Sequence, residues 1–218
     1  MPRFARLVVP EYPHHVTQRG SRRQPTFFGD ADYSAYIGLL AEQLPKAEVD
    51  VLAYCLMPNH VHLILVPHHA HSLARLLRRA HARYARRINL KYGWQGHLWQ
   101  ERFHSFVMDE EHLLAAVRYV ELNPVRAGLC RQPDEWPWSS VHFHLHQRAD
   151  QLISTGGMHA YVDNWHSYLG DALTVTEIDK LRSHSRNGRP AGNLQFITEI
   201  ESLTGRRLVP PKRGPTGT

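Results

Sequence analysis

Cysteine is scarce in this chain of 218 residues, which contains only Cys55 and Cys130. The two are far apart and match no CxxC metal or redox motif, so a reducing compartment is the default expectation. Long apolar runs are also missing. No segment has the length needed to cross a bilayer, and the first residues lack the hydrophobic stretch of a secretory signal. These absences predict a cytoplasmic protein with no membrane partner.

Acidic residues are outnumbered by basic ones, 20 against 26, which gives a formal net charge of +6 at pH 7. The hydrophobic content of 42% and the charged content of 21% are typical of a globular protein. A positive excess indicates a polyanionic partner, with nucleic acid the first candidate. Many soluble proteins are mildly basic without binding an anion, so the placement of the charges carries more information than their sum.

The segment from Ser72 to about Tyr92 has helical periodicity and contains no acidic residue. Its apolar stripe predicts a buried face, formed by Leu73, Leu76, Leu77, Ala80, Tyr84 and Ile88. A helix with only positive charges lacks the usual stabilising pairs four residues apart, and it is unfavourable unless an anion neutralises it. A solvated face is the ordinary alternative. We predict phosphate contacts for five arginines of this helix: Arg75, Arg78, Arg79, Arg86 and Arg87.

Hydrophobic periodicity and turn residues predict four strands and three helices in the first 130 residues. In chain order they are strand 12–18, helix 30–45, strands 49–57 and 60–66, helix 72–92, strand 98–107 and a helix from 109 that Pro124 stops. The order β-α-β-β-α-β predicts an α+β, ferredoxin-like antiparallel sheet. The last helix is then an added C-terminal catalytic helix.

The rest of the chain is expected to follow this unit in two parts. We predict a catalytic domain at 1–130, a helical or irregular extension packed on the core at 131–184, and a basic, partly disordered tail at 185–218. Short helices are predicted at 174–181 and 194–203. Basic residues without an acidic neighbour close the tail: Arg206, Arg207, Lys212 and Arg213.

Two histidines begin the second strand of the predicted hairpin, in the stretch MPNHVHLILV. Successive side chains of a strand point to opposite faces, so His60 and His62 share one face and can hold one metal ion. The His-x-His spacing is weak evidence by itself because the chain has 17 histidines. The same spacing occurs at His69/His71, His142/His144 and His144/His146.

Tyr119 and Asn123 are four residues apart on the predicted third helix and therefore face the same side. If that helix packs beside the histidine strand, His60, His62 and Asn123 form a metal site with a phenol next to it. A phenol with its free pKa of about 10 is a poor nucleophile until neighbouring positive charge favours loss of its proton. The group suits attack on a phosphodiester. The alternatives are a packing tyrosine and an ordinary helix-terminal asparagine.

Two longer motifs contain these four residues, CLMPNHVHLILVP and RYVELNPVRAGL. In this order they resemble the motifs of the single-tyrosine HUH transposases, and within them of the REP-associated tyrosine transposase group. HUH stands for two histidines around a bulky hydrophobic residue, here His60-Val61-His62. The stretches HVTQRGSRRQPTFF, GHLWQERFHSF and EWPWSS add to the resemblance, which covers residues 2–141.

The resemblance implies a transposase that cuts and rejoins single-stranded DNA near a hairpin through a 5′-phosphotyrosine link. Tyr119 takes the place of the nucleophile, and His60 and His62 those of ligands for Mg²⁺ or Mn²⁺. Asn123 stands at the third-ligand position, where many related enzymes have glutamine. The resemblance implies DNA recognition by the loop 20–24, where family members carry Gly-x-Asn-Arg-Gln. We expect DNA contacts from Arg19, Arg22, Arg23 and Arg102, a nucleoid-associated location, and a monomer or homodimer.

Three other functions are compatible with parts of the pattern. The first is a domesticated nucleic-acid-binding protein that no longer cuts. The second is an RNA-binding module of similar shape, which requires exposed aromatic residues on central strands, whereas these strands carry histidines and aliphatic residues. The third is a metal hydrolase, which requires a carboxylate near His60 to activate water, and the sequence identifies none.

Overall fold

A computed structural model describes residues 6–153, 158–171 and 173–208. Its strands are β1 His14–Arg19, β2 Val49–Met57, β3 His60–Pro67 and β4 His104–Val107. Its helices are α1 Asp30–Ala47, α2 Ser72–Tyr92, α3 Glu110–Glu121, α4 Asn123–Arg126, α5 Val141–His146, α6 Trp165–Gly170, α7 Val175–Asn187 and α8 Leu194–Thr204. In the described parts of the chain, no helix is both long and apolar enough to cross a membrane.

The four strands form one sheet in the order β2-β3-β1-β4, and every neighbouring pair is antiparallel. Two β-α-β units with their helical crossovers produce this order when a hairpin joins them. The predicted α+β, ferredoxin-like fold is therefore confirmed. In this register His62 lies opposite Thr17 of β1 and Cys55 of β2, at the centre of the sheet.

The two faces of the sheet are covered by different helices. Alternate residues of β3, among them Val61 and Leu63, pack in one apolar cluster with α1 and α2. Ile64 packs on the opposite face, in a second cluster with α3. Because side chains alternate along a strand, His60 and His62 lie on the same face as Ile64. The strand pattern thus directs both histidines toward α3 and away from α2.

Two predicted boundaries differ from the structure. The fourth strand was expected at 98–107 but begins at His104, because Glu101 has a left-handed φ of 56° that interrupts the extended chain. Residues just before this point pair instead with the end of β1, where Gln100 N donates to Arg19 O at 2.8 Å. Helix α1 continues through Pro45 to Ala47, since Leu44 and Ala47 on either side of the proline are buried in the core and offset the hydrogen bond that it removes.

The residues after 130 extend both edges of the sheet. Next to β2, Leu56 N donates to Trp138 O at 2.8 Å, and next to β4, Ala191 N donates to Val107 O at 2.8 Å. Helix α7 is longer than the predicted 174–181, and α8 matches the predicted 194–203 closely. The basic tail is thus ordered in part, since Phe196 and Ile200 of α8 pack on the N-terminal segment. Lys212 and Arg213 lie outside the described residues, and the division into three units stays a prediction.

Candidate active site

Helix α3 has a capped N-terminus and carries Tyr119 on its last turn. The Asp109 carboxylate caps the helix by accepting a hydrogen bond of 3.0 Å from His112 N. Glu110 and Glu111 in the first turn complement the positive end of the helix dipole. The helix was expected to reach residue 123, but it ends at Glu121, and Asn123 begins the short helix α4.

The four residues of the predicted site meet in one chain. The ring centroids of His60 and His62 are 4.8 Å apart, and those of His62 and Tyr119 are 5.6 Å apart. Tyr119 is 7% exposed and Asn123 is 6% exposed, and both line the same cleft as the histidines. The roles assigned to these residues stay predictions, while their proximity within a single chain is a property of the fold.

The cleft is open to solvent, has a volume of about 580 Å³ and is strongly basic. Five arginines from different parts of the chain line it: Arg19, Arg23, Arg126, Arg182 and Arg186. Glu101 is the one carboxylate among its described lining residues. An excess of positive charge inside a concave surface attracts a polyanion. The shape and the charge of the cleft therefore match a nucleic-acid backbone.

Both histidines have their Nδ1 atoms in hydrogen bonds. His60 Nδ1 lies 2.6 Å from Asn59 Oδ1, and the amide orientation is fixed because Asn59 Nδ2 donates to Arg23 O at 3.0 Å. An amide oxygen only accepts, so Nδ1 of His60 carries the proton and Nε2 keeps a lone pair. His62 Nδ1 lies 2.9 Å from Nε2 of His15. Such hydrogen bonds orient a histidine whose other nitrogen binds a metal.

Burial keeps both imidazoles neutral. It lowers the pKa of His60 to about 3, and the nearby charge of Arg19 acts in the same direction. Burial also lowers the pKa of His62 well below its usual value, with further contributions from His60, His15, Arg126 and Arg19. A neutral imidazole is the form that binds a metal ion. The surroundings therefore supply two available nitrogen donors at neutral pH.

His15 is a site residue that the sequence reasoning missed. It is 1% exposed, and its ring stacks on His62 and lies 6.2 Å from the ring of Tyr119 between centroids. Burial lowers its pKa to about 3. Its position in the first strand was predicted, but only the pairing of β1 with β3 places it beside His62. Finding His15 from the sequence would have required the pairing register between β1 and β3.

Arg126 was also missed, although it lies in the motif that contains Tyr119. Its Nη1 donates to the Tyr119 carbonyl oxygen at 2.9 Å, and its guanidinium carbon lies 3.9 Å from the centre of the Tyr119 ring. Its Nη2 reaches Asn123 Oδ1 at 3.5 Å. The short helix α4 turns the chain so that Arg126 covers the tyrosine. Arg182 and Arg186 were missed because the helix α7 extends beyond its predicted end.

The structure does not bring all the predicted DNA-binding arginines to the cleft. Arg19 and Arg23 line it, whereas Arg22 and Arg102 are exposed and are not among its lining residues. The five α2 arginines lie on the helix that covers the opposite face of the sheet, and in the described part of the chain none of them forms an ion pair. Arg83 of the same helix pairs with Glu42 of α1 at 2.5 Å. DNA contacts by the α2 arginines stay a prediction.

The donor set fits a divalent ion only when the amide is included. Within the described ranges, no group of three His, Cys, Asp or Glu residues is arranged to hold a metal. The available donors are Nε2 of His60, Nε2 of His62 and the amide oxygen of Asn123. Nδ2 of Asn123 is buried and, among the described residues, has no hydrogen-bond partner. Three neutral donors beside an open cleft leave coordination positions for a phosphate or water.

Known proteins similar to this chain support a common family. The family model described as "Transposase IS200 like" matches residues 8–123, which is more than half of the chain. A REP-associated tyrosine transposase of Escherichia coli strain K12 is 26% identical over 94 residues, covering 43% of this chain and 54% of the relative. A Haemophilus influenzae protein assigned to the same group is 27% identical over 105 residues, covering 43% of this chain and 59% of the relative.

A solved structure has the same fold. It is a REP-associated tyrosine transposase bound to a REP hairpin, and it matches with a TM-score of 0.57 at 19% identity, covering 71% of this chain and 92% of that chain. The chain spans between half and three-fifths of the length of the two curated relatives. The family model covers more than half of the chain, and the chain therefore belongs to the IS200-like transposase family.

Proposed function

We propose that this chain cuts and rejoins single-stranded, hairpin-containing DNA through a covalent link to Tyr119. The observation that carries the proposal is the placement of Tyr119 beside His60 and His62 in one basic cleft. The similar structure bound to a REP hairpin supports a hairpin DNA substrate. One chain supplies all of these groups, so a monomer is sufficient for the chemistry. Action on chromosomal DNA implies a location at the nucleoid in the cytoplasm.

The metal that the family implies would be held by His60, His62 and the Asn123 amide oxygen. When bound, a divalent ion polarises the scissile phosphate and neutralises charge that develops on it. A mixed set of imidazole nitrogen and amide oxygen favours a transition ion such as Mn²⁺ over the harder Mg²⁺. Both ions belong in the test.

The cleavage step uses the tyrosine hydroxyl. The Tyr119 Oη–P bond forms as the P–O3′ bond breaks, the phenol loses its proton, and the 3′ oxygen leaves with a proton as a free 3′-OH. The reverse attack by a 3′-OH on the phosphotyrosine rejoins the strand. Arg126 lies over the ring and donates to the Tyr119 backbone, which fixes the direction of the phenol. Fixing the nucleophile in this way removes part of the entropic barrier to attack.

The remaining arginines of the cleft would bind the phosphates on either side of the scissile one. Arg19 and Arg23 lie on the β1 side, and Arg182 and Arg186 lie on α7. A guanidinium binds a phosphate through two parallel hydrogen bonds, which fixes the backbone as well as neutralising it. The affinity should then fall steeply with salt concentration.

The test is incubation of the protein with end-labelled hairpin oligonucleotides carrying single-stranded flanks, with Mn²⁺ or Mg²⁺. We expect a protein–DNA adduct that survives denaturing electrophoresis and maps to Tyr119 by mass spectrometry. Tyr119→Phe should form no adduct, and Tyr161→Phe, at an exposed tyrosine, is the matched control. If wild type and Tyr119→Phe behave alike across a set of hairpins, the catalytic proposal is wrong.

The same assay separates the other functions. A hydrolase would use Glu101, the described carboxylate of the cleft, to activate water. Cleavage without an adduct, lost in Glu101→Gln and kept in Tyr119→Phe, would assign the chain to that class. Binding of the hairpin with neither cleavage nor adduct would assign it to the non-cutting DNA-binding proteins.

A further inference from the structure

A short backbone ladder separates the basic cleft from a second groove. Ser21 N donates to Leu98 O at 2.8 Å, and Gln100 N donates to Arg19 O at 2.8 Å. At one end of this ladder Arg19 and Gln100 line the cleft, and at its other end Leu98 lines a groove of about 420 Å³. The two ends are two residues apart along an extended chain, which is about 7 Å, so the two concave surfaces are close neighbours.

Three aromatic rings gather at the second groove and remain exposed. Phe28, Tyr92 and Trp94 are 37%, 37% and 46% exposed. Their ring centroids are 4.8 Å apart for Phe28–Tyr92, 5.4 Å for Phe28–Trp94 and 5.0 Å for Tyr92–Trp94. A contiguous apolar surface that water still reaches costs free energy, and such surfaces generally mark binding sites.

The loop that carries Trp94 is a defined turn. Helix α2 ends at Tyr92, Gly93 follows it with a left-handed φ of 65°, and Trp94 N then donates to Asn89 O at 2.8 Å. Asn89 Nδ2 donates to Gly96 O at 3.0 Å, which closes the turn. Trp94 is therefore held in the groove by backbone contacts before any partner binds, and an ordered ring loses little entropy when it stacks.

The chemistry of the groove matches nucleobases better than a protein surface. Its described lining combines the rings of Phe28 and Trp94 with the amides of Gln24, Gln95 and Asn89 and contains no carboxylate. Lys91 Nζ lies 5.1 Å from the centre of the Tyr92 ring but is paired with Asp32 at 2.8 Å, so the positive charge beside the groove comes from the arginines of the cleft. The turn residues Arg23 and Gln24 are consecutive, and the first lines the cleft while the second lines the groove. Aromatic faces beside positive charge are the features that bind single-stranded DNA.

We propose that this aromatic groove binds unpaired bases of the DNA strand whose backbone occupies the cleft. The inference depends on the proposed function only for the identity of the strand. Bases a few nucleotides from the scissile phosphate would cross the ladder and stack on Phe28 and Trp94. The amides of Gln24 and Gln95 are placed to hydrogen-bond the edges of the stacked bases. The groove would thus contact the bases of a DNA strand whose phosphates are bound in the cleft.

The test measures binding without cleavage, in the full chain carrying Tyr119→Phe. The probe is a fluorescent hairpin oligonucleotide with a single-stranded flank, compared with the same oligonucleotide carrying abasic nucleotides in that flank. Each of Trp94→Ala and Phe28→Ala should weaken binding about tenfold. Trp94→Phe should restore most of the affinity because it keeps a stacking ring. Tyr161→Ala, at an exposed aromatic residue of another segment, is the matched control.

The abasic flank supplies the decisive comparison. A chain with an unaltered groove should bind the abasic oligonucleotide about tenfold more weakly than the intact one. Trp94→Ala should have no further effect on binding of the abasic oligonucleotide, since no base remains to stack on Trp94. If Trp94→Ala does not fold, the proposal is tested by the loss of affinity that the abasic flank causes in the Trp94→Phe variant and in the chain with an unaltered groove. Equal affinity for intact and abasic flanks overturns the proposal.

Two further results would also overturn it. If Trp94→Ala and Phe28→Ala bind DNA like the Tyr161→Ala control, the groove is not a DNA contact. If they change only the sedimentation behaviour of the protein, the groove is a contact between copies of the chain. Failure of the Tyr119 adduct assay would leave these binding measurements unaffected, so the two proposals fail independently.

Discussion

His15 and His62 lie on neighbouring strands and share a hydrogen bond of 2.9 Å between Nε2 of the first and Nδ1 of the second. For Nε2 of His62 to bind a metal, Nδ1 of His62 must carry the proton and donate a hydrogen bond to Nε2 of His15. His15 then holds its own proton on Nδ1, which is buried and has no partner among the described residues. An unpaired buried donor costs stability. The hydrogen bond from His62 to His15 therefore orients His62 at the cost of some stability of the fold.

The first prediction concerns this pair. His15→Leu removes the acceptor, so His62 can rotate or change tautomer, and Mn²⁺ affinity should fall about 10- to 100-fold. His15→Gln keeps an acceptor near the same place and should retain most of the affinity. Isothermal titration with Mn²⁺ measures both variants in the absence of DNA. Equal affinities for wild type, Leu and Gln would show that His15 has no orienting role, whereas a wild type that binds no Mn²⁺ would contradict the metal site itself.

The second prediction concerns Arg126. Arg126→Ala removes the guanidinium above the Tyr119 ring, and the single-turnover rate of adduct formation should fall about tenfold. Arg126→Lys keeps the charge but loses the planar stacking and the forked hydrogen bonds, so it should recover only part of the rate. Arg148→Ala, at an exposed arginine outside the cleft, serves as the control. Unchanged rates in both Arg126 variants would remove this residue from the catalytic machinery.

The parts of the site that could be predicted from sequence depend on local geometry. His60 and His62 share a face because strand side chains alternate. The prediction that Tyr119 and Asn123 face the same side used the spacing of four residues on a helix, and the two line the same cleft although Asn123 begins α4. Neither rule requires knowledge of the fold. The fold class also followed from the order of elements, since few connections satisfy a β-α-β-β-α-β chain.

The parts that were missed depend on distant pairings. His15 meets His62 through the β1–β3 register, and Arg182 enters the cleft because α7 packs against α3 and β4. Sequence periodicity shows which face of an element is buried, but not which neighbour buries it. The arginine-rich face of α2 illustrates the same limit, since its amphipathic pattern was correct while its position on the far side of the sheet from Tyr119 was not visible.

The third prediction is a pH dependence of stability that arises from His81. This residue is buried, its Nε2 lies 2.9 Å from the Tyr36 hydroxyl, and burial lowers its pKa to about 3. The unfolded chain binds a proton at this histidine below about pH 6.5 while the folded chain does not, so stability decreases as the pH falls. Between pH 7 and pH 5 the loss is about 2 kcal/mol for one such group.

His81→Gln should remove that contribution while keeping a polar partner for Tyr36. Urea unfolding at pH 7 and pH 5, with metal removed by a chelator, measures the difference. The free energy of unfolding of the variant should decrease by about 2 kcal/mol less than that of wild type over this range. Parallel decreases in the two proteins would contradict the prediction.

The fourth prediction concerns the back of the catalytic helix. Glu121 is fully buried on α3, two residues from both Tyr119 and Asn123, and its Oε1 accepts hydrogen bonds from Ser140 Oγ at 2.6 Å and from His144 Nδ1 at 2.5 Å. His144 stacks on Trp165, with ring centroids 4.0 Å apart. Residues two apart on a helix point to opposite sides, so Glu121 anchors the helix to α5 while Tyr119 faces the cleft.

Glu121→Leu leaves buried His144 Nδ1 without its acceptor, while Ser140 Oγ retains only the longer bond of 3.3 Å to the Tyr54 carbonyl oxygen. The change should destabilise the fold by about 3 kcal/mol, which lowers the melting temperature by about 6–12 °C. Glu121→Gln keeps the acceptor oxygen and the side-chain volume, so its loss should be clearly smaller. Thermal unfolding followed by circular dichroism compares both with wild type. The Leu variant should also form less tyrosine adduct at temperatures where it is fully folded, because a helix released from α5 no longer fixes Tyr119. A Leu variant as stable and as active as the Gln variant would show that packing of the apolar face alone holds α3 in place.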